Sequence, residues 1–123
     1  MKKIIIASAF VLSMATIAFA GTPTIVSTDM GKILADDNGM TLYTFKKDVK
    51  GTSNCYGKCA TAWSPFFVAS GDKASGDLSF VTRKDGKMQW AHNGLPLYLW
   101  QGDASKGDTT GHNFKNAWFV VKQ

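Results

Sequence analysis

The 123-residue chain has no glutamate, one arginine (Arg83), two cysteines, two histidines and, beyond its first twenty residues, no long apolar run. Each scarcity excludes something. Without glutamate, carboxylate chemistry falls to nine aspartates: Asp29, Asp36, Asp37, Asp48, Asp72, Asp77, Asp85, Asp103 and Asp108. Most of these sit where turns are expected. Ser27, Ser53 and Ser64 lack the setting of an activated nucleophile, and a symmetric Asp48/Asp103 pair would lack the unequal environments that acid–base catalysis needs. The expectation is a protein that is not an enzyme. The single arginine, among scattered lysines, argues against a nucleic-acid surface, which leans on arginine clusters. No stretch after residue 20 approaches the roughly 20 apolar residues of a membrane-spanning helix.

The first twenty residues form a separate unit. Lys2 and Lys3 precede a largely apolar run that ends in Ala18-Phe19-Ala20, the pattern of an export signal with cleavage near Ala20. No cysteine stands at that point to accept a lipid, so a periplasmic or secreted product is expected. Residues 21–123 carry 12 basic and 9 acidic residues, a mild net charge of +3. They make one domain with one modest core.

Export also bears on Cys55 and Cys59, because disulfides form and persist outside the cytoplasm. A bridge is the first reading, closing a loop so short that its purpose would be to fix one bend. A redox pair would normally use the tighter Cys-x-x-Cys spacing. Covalent haem would need histidine directly after the second cysteine, where Ala60 stands.

What the chain does have is a repeat. Residues 24–63 overlay residues 79–118 with no gap: Gly31-Lys32 on Gly86-Lys87, Asn38-Gly39 on Asn93-Gly94, Leu42-Tyr43 on Leu97-Tyr98, Asp48 on Asp103, and Ala62-Trp63 on Ala117-Trp118. A unit of about 40 residues buries too little apolar surface to stand alone, so the two should pack about a pseudo-two-fold axis. Residues 64–78 join them, with a stretch rich in Gly, Ser and Asp from Ser70 to Asp77. Asn-Gly and Asp-Gly pairs between short β-branched and aromatic runs are hairpin signals. They place strands near 24–28, 32–36, 40–46, 79–83, 87–91 and 95–101. A fourth strand follows in each half near 63–68 and 117–122, Pro65 confining the first of these to an edge. A helical turn is possible over 56–63. The fold class is all-β: a small antiparallel sandwich or barrel of two tandem repeats of three to four strands each.

Within each repeat stands Tyr-x-aromatic-x-x-Asp: Tyr43, Phe45 and Asp48, then Tyr98, Trp100 and Asp103. Strand alternation puts Tyr43 and Phe45 on one face, and Tyr98 and Trp100 on the equivalent face of the second copy. Leu42 and Leu97 lie on the opposite face. Such a strand is either central and buried on both sides, or it carries an aromatic platform at the surface. The aspartates either accept backbone N–H groups and lock a turn, or receive a tyrosine hydroxyl from the other half.

This motif, followed in the first copy by Gly51-Thr-Ser-Asn-Cys-Tyr-Gly-Lys-Cys-Ala-Thr-Ala-Trp63, resembles the family of small bacterial secreted-repeat proteins and predicted lipoproteins that the motif describes. The second copy departs, with Thr110 and Phe114 in place of the cysteines. The resemblance implies export and duplication, and brings no catalytic residues.

The expected function is an exported, non-enzymatic envelope protein that binds a small molecule or an envelope component. Its candidate residues are the six of the two motifs, and no cofactor is expected. The alternative is a periplasmic copper or haem carrier using His92, His112 and Met88, although the two histidines do not coincide under the repeat.

Overall fold

The computed structural model describes residues 21–123; the expected signal segment lies outside the described residues. Among the described residues, nine strands and one short helix follow in order: β1 (Thr24–Thr28), β2 (Gly31–Ala35), β3 (Leu42–Phe45), α1 (Lys58–Ala62), β4 (Trp63–Pro65), β5 (Leu78–Thr82), β6 (Met88–His92), β7 (Leu95–Pro96), β8 (Tyr98–Trp100) and β9 (Trp118–Val120). The fold is all-β and sandwich-like, and it does not close into a barrel.

The two halves interleave in an antiparallel four-stranded sheet of order β4-β8-β3-β9. β3 and β8 pair at its centre, with Tyr43 directly opposite Tyr98. These are equivalent residues of the two repeats, so the pseudo-two-fold axis runs between them. Each centre strand then takes the other half's fourth strand as its outer neighbour: Phe45 opposes Trp118, and Trp63 opposes Trp100. Neither half could complete this sheet alone. Pro65, which has no N–H to give to a ladder, sits on β4 at the sheet's edge.

Hairpins β1-β2 and β5-β6 flank the sheet, each tied to the chain beyond an outer strand. Leu34 N–H bonds the Val121 carbonyl and Gln123 N–H the Lys32 carbonyl; in the other half Trp90 N–H bonds Phe66 and Val68 N–H bonds Met88. These bonds correct the gapless alignment. Val121 and Phe66 are equivalent, so Leu34 corresponds to Trp90, not to Gln89. The cause lies in the turns. Thr28 pairs with Gly31 across two residues, whereas Arg83 and Lys87 exchange a bond across three; the next turn compensates, His92 pairing with Leu95 across Asn93-Gly94. Asn93 and Gly94 both take positive φ, 51° and 84°, as the primed two-residue hairpin turn requires. The strand expected over 95–101 is split into β7, which pairs with β6, and β8, which pairs with β3 and β4.

The motif strands are buried on both sides. One face packs Tyr43, Tyr98, Trp63 and Trp118 with Ile33, Cys55 and Val120; the other packs Leu42 and Leu97 with Leu34, Phe66, Trp90 and Val121. Phe45 and Trp100, at the strand ends, remain half-buried.

Candidate binding site

The motif residues meet across the axis. The Tyr43 hydroxyl donates to Asp103 at 2.7 Å and the Tyr98 hydroxyl donates to Asp48 at 2.7 Å, so each repeat's tyrosine is received by the other's aspartate. Each carboxylate also holds its own loop. Asp48 accepts Asn54 N–H at 2.6 Å, while Asp103 accepts Thr110 N–H at 3.0 Å and the Thr110 hydroxyl at 2.6 Å. Both roles left open by the sequence are filled at once. Burial above all, and then the neighbouring carboxylate, push the Tyr43 phenol well above its ordinary range; burial, reinforced by Asp48, does the same at Tyr98. Both remain protonated donors.

The two sites then diverge. Tyr98 has one proton, committed to Asp48, so the Ser53 hydroxyl 2.6 Å away must donate to it. The Ser53 oxygen is free to accept Cys55 N–H and, at 2.9 Å, a guanidinium N–H of Arg83. Arg83 is 5% exposed; it also donates to the Gln89 side chain at 2.8 Å and to the Cys55 carbonyl at 2.6 Å, and it lies over the Tyr56 ring. The sole arginine is thus a buried charge, joined to the Asp48 carboxylate through two hydroxyls. Burial raises the Asp48 carboxyl above its ordinary value, opposed by the bonds from Tyr98 and Asn54 and by the Arg83 charge. The second repeat has no such relay: Tyr43 accepts the Gly111 N–H, and Asp103 stays half-buried.

Above the tyrosines, four rings stack in the order Trp100, Trp63, Trp118, Phe45, with centroids 4.2, 3.9 and 4.1 Å apart. Trp63 meets Tyr43 edge-on, and Trp118 meets Tyr98 in the same way. Over this stack opens a cleft of about 490 Å³. Eight of its lining residues form four repeat-related pairs, Phe45/Trp100, Cys59/Phe114, Ala62/Ala117 and Trp63/Trp118, so the cleft straddles the pseudo-two-fold axis. The other three are Lys47, Lys58 and Lys115.

The cleft walls are built differently in the two halves. In the first, Cys55 and Cys59 are disulfide-bonded, and α1 follows from Lys58. In the second, Asn113, Lys115 and Asn116 take left-handed backbone, φ 64°, 52° and 56°, which turns the chain without a bridge. Asparagine tolerates that region; lysine does so less readily.

Of the motif residues, Phe45 and Trp100 line the cleft, whereas Tyr43, Tyr98, Asp48 and Asp103 lie beneath it. The histidines and Met88 are not brought together. His92 lines a small cleft with Pro23 and Asp77, Met88 lines another with Phe67, and His112 accepts Val120 N–H through Nδ1. Among the described residues no group of three or more His, Cys, Asp or Glu could hold a metal ion, and no helix is long and apolar enough to cross a membrane.

A model of the family described as secreted repeats of unknown function matches residues 24–66 and 79–122. The chain belongs to that family. Membership and the Cys55–Cys59 bridge agree with an exported protein. No curated protein and no solved structure matches the chain.

Arg83 and the lysines of the cleft escaped the sequence reading. Arg83 had one usable signal: it stands two residues after Val81, on the strand face that turns inward, where repeat one has Thr28. Lys47, Lys58 and Lys115 had none, because their juxtaposition arises only when the two repeats meet.

Proposed function

We propose that the protein is an exported, non-enzymatic binding module whose site is the cleft on the pseudo-two-fold axis. The observation that carries this reading is the pairing of the cleft's walls: both repeats contribute the same four positions, so duplication and interleaving create the concavity. Its volume lies in the usual range of small-molecule sites, and its lining is largely aromatic with a few polar groups. The hydrogen bonds favour binding over chemistry. Asp48 and Asp103 commit both oxygens to groups of the chain itself, leaving neither as an available base.

The test is native mass spectrometry of the protein recovered from the cell envelope, beside an Ala62→Phe variant. Ala62 is half-buried on the cleft wall at the edge of the core, and the larger ring is placed there to fill the cleft; the melting temperature reports whether the core is disturbed. A bound mass in the parent, lost in a variant with an unchanged melting temperature, is expected. Equal retention by both would move the site elsewhere.

A further inference from the structure

We infer that the cleft takes a planar aromatic anion: a flat ring system of two or three fused rings bearing a carboxylate, sulfonate or phosphate. This rests on the reading of the cleft as the binding site and adds the chemistry of its occupant.

The hydrogen-bonding inventory of the lining decides the polarity. Its polar side chains are three lysines and three tryptophans, Trp63, Trp100 and Trp118, which make the aromatic floor; no Asp, Asn, Gln, Ser or Thr lines it. Lysine and indole donate and do not accept. A neutral sugar or a peptide, which presents as many donors as acceptors, would leave its donors without side-chain partners there. A cation would meet three ammonium groups with no carboxylate among the lining residues. An anion supplies acceptors alone and meets a field of matching sign.

The floor decides the shape. Phe45, Trp100 and Phe114 are half-buried and offer ring surface, with the closed Trp63–Trp118 pair between and beneath them. Flat apolar surface is matched by flat apolar ligand, since aromatic groups pack in offset or edge-to-face contact. Neutral lipid chains would fill the volume equally well but would leave the lysines without a role.

Symmetry decides the orientation. The apolar walls obey the repeat, whereas the charges break it: Lys47, Lys58 and Lys115 correspond to Gly102, Asn113 and Ala60. The charges are therefore an addition to a symmetric apolar pocket, two from the first repeat and one from the second, so its two ends are not equivalent to an anionic group. Lys115 takes left-handed backbone, and its ammonium lies 5.6 Å from the Phe114 ring centre.

Two probes of nearly equal shape separate charge from shape: naphthalene-2-carboxylate and naphthalene-2-carboxamide, titrated by tryptophan fluorescence and calorimetry at low and high salt. The carboxylate should bind about tenfold or more tightly at low salt, with the advantage shrinking as salt rises. The triple substitution of the exposed lysines, Lys47→Ala with Lys58→Ala and Lys115→Ala, should remove that advantage and leave carboxamide affinity within about twofold. Equal binding of both probes, each abolished by Ala62→Phe, would overturn the anion inference while leaving the cleft as the site. Failure of both probes to bind, or binding that Ala62→Phe does not affect, would overturn the site with it.

Discussion

Trp63 and Trp118, the same position in the two repeats, stack at 3.9 Å with their ring planes 1° apart. Parallel stacking of equivalent residues requires that the axis relating the repeats pass between them, as it also passes between Tyr43 and Tyr98 one layer below. The motif therefore recurs for a reason. Each copy supplies half of a reciprocal lock, a tyrosine given to the other repeat and an aspartate that receives one while fixing its own loop.

The two locks should differ in worth. Tyr98→Phe strips a buried hydroxyl on which Asp48, Ser53 and, through Ser53, Arg83 depend, whereas Tyr43→Phe strips one that serves the Gly111 N–H, by a longer bond, and Asp103, which is half-buried and can turn to water. Urea unfolding should show a loss of about 2–3 kcal/mol for Tyr98→Phe and about 1 kcal/mol for Tyr43→Phe. Equal losses would mean that the Ser53 relay adds nothing.

Arg83 should be the costliest polar residue to replace. Arg83→Met keeps much of the stem but removes three guanidinium hydrogen bonds and leaves Asp48 buried without its linked cation. A loss on the order of 3 kcal/mol is expected, read as a lowered unfolding midpoint. Arg83→Lys should recover little, since one ammonium cannot reproduce the guanidinium fork across Ser53, Gln89 and the Cys55 carbonyl.

How much of this was legible in the sequence follows from the range of the interactions. The hairpins at Asp85-Gly86 and Asn93-Gly94 were readable because turn chemistry is local, and the period-2 pattern of Tyr43-Thr44-Phe45 gave the face on which the aromatics lie. The one-residue displacement of β6 was hidden: Gly31-Lys32 matches Gly86-Lys87 in letters, while the hydrogen bonds to Val121 and Phe66 set the true correspondence. The exchange of fourth strands was hidden too, because no feature of Trp63 or Trp118 states which repeat it will pair with. The cleft arises from that exchange, so its lysines were visible as residues but not as a group.

Reduction of the disulfide should act locally. The bridge spans four positions, and the chain-entropy model assigns so short a loop only about 2 kcal/mol. The Cys55 carbonyl still receives Arg83 and Cys55 N–H still reaches Ser53, both independent of the sulfur. Hydrogen exchange after mild reduction should rise over residues 51–63 and stay unchanged in β5 and β6. Global unfolding on reduction would show that the bridge carries the fold.

Asp48 gives a pH dependence whose sign can be worked out. Burial raises its carboxyl above the ordinary 3.8, so the folded state holds the proton more tightly than the unfolded chain does. The stability this contributes is complete below pH 3.8 and is lost as pH rises through the raised value, after which it is flat. Asp48→Asn has no such titration. It also carries a general cost, because one amide oxygen cannot accept both Tyr98 and Asn54 while the NH2 group brings donors to a site that needs acceptors. That cost should be about 1–3 kcal/mol. The gap between parent and variant should therefore be widest near pH 3 and narrow toward neutrality. The comparison must be made between the two proteins rather than from the parent alone. Asp108, accepting the N–H groups of Ala104 and Ser105, is shifted the other way and loses its contribution as pH falls. It is common to both proteins and cancels in the difference. Denaturant midpoints at pH 3, 5 and 7 provide the measurement. A gap that widened with pH would mean that Arg83 and the hydrogen bonds outweigh burial, leaving Asp48 an ionised partner stabilised through the Ser53–Tyr98 relay.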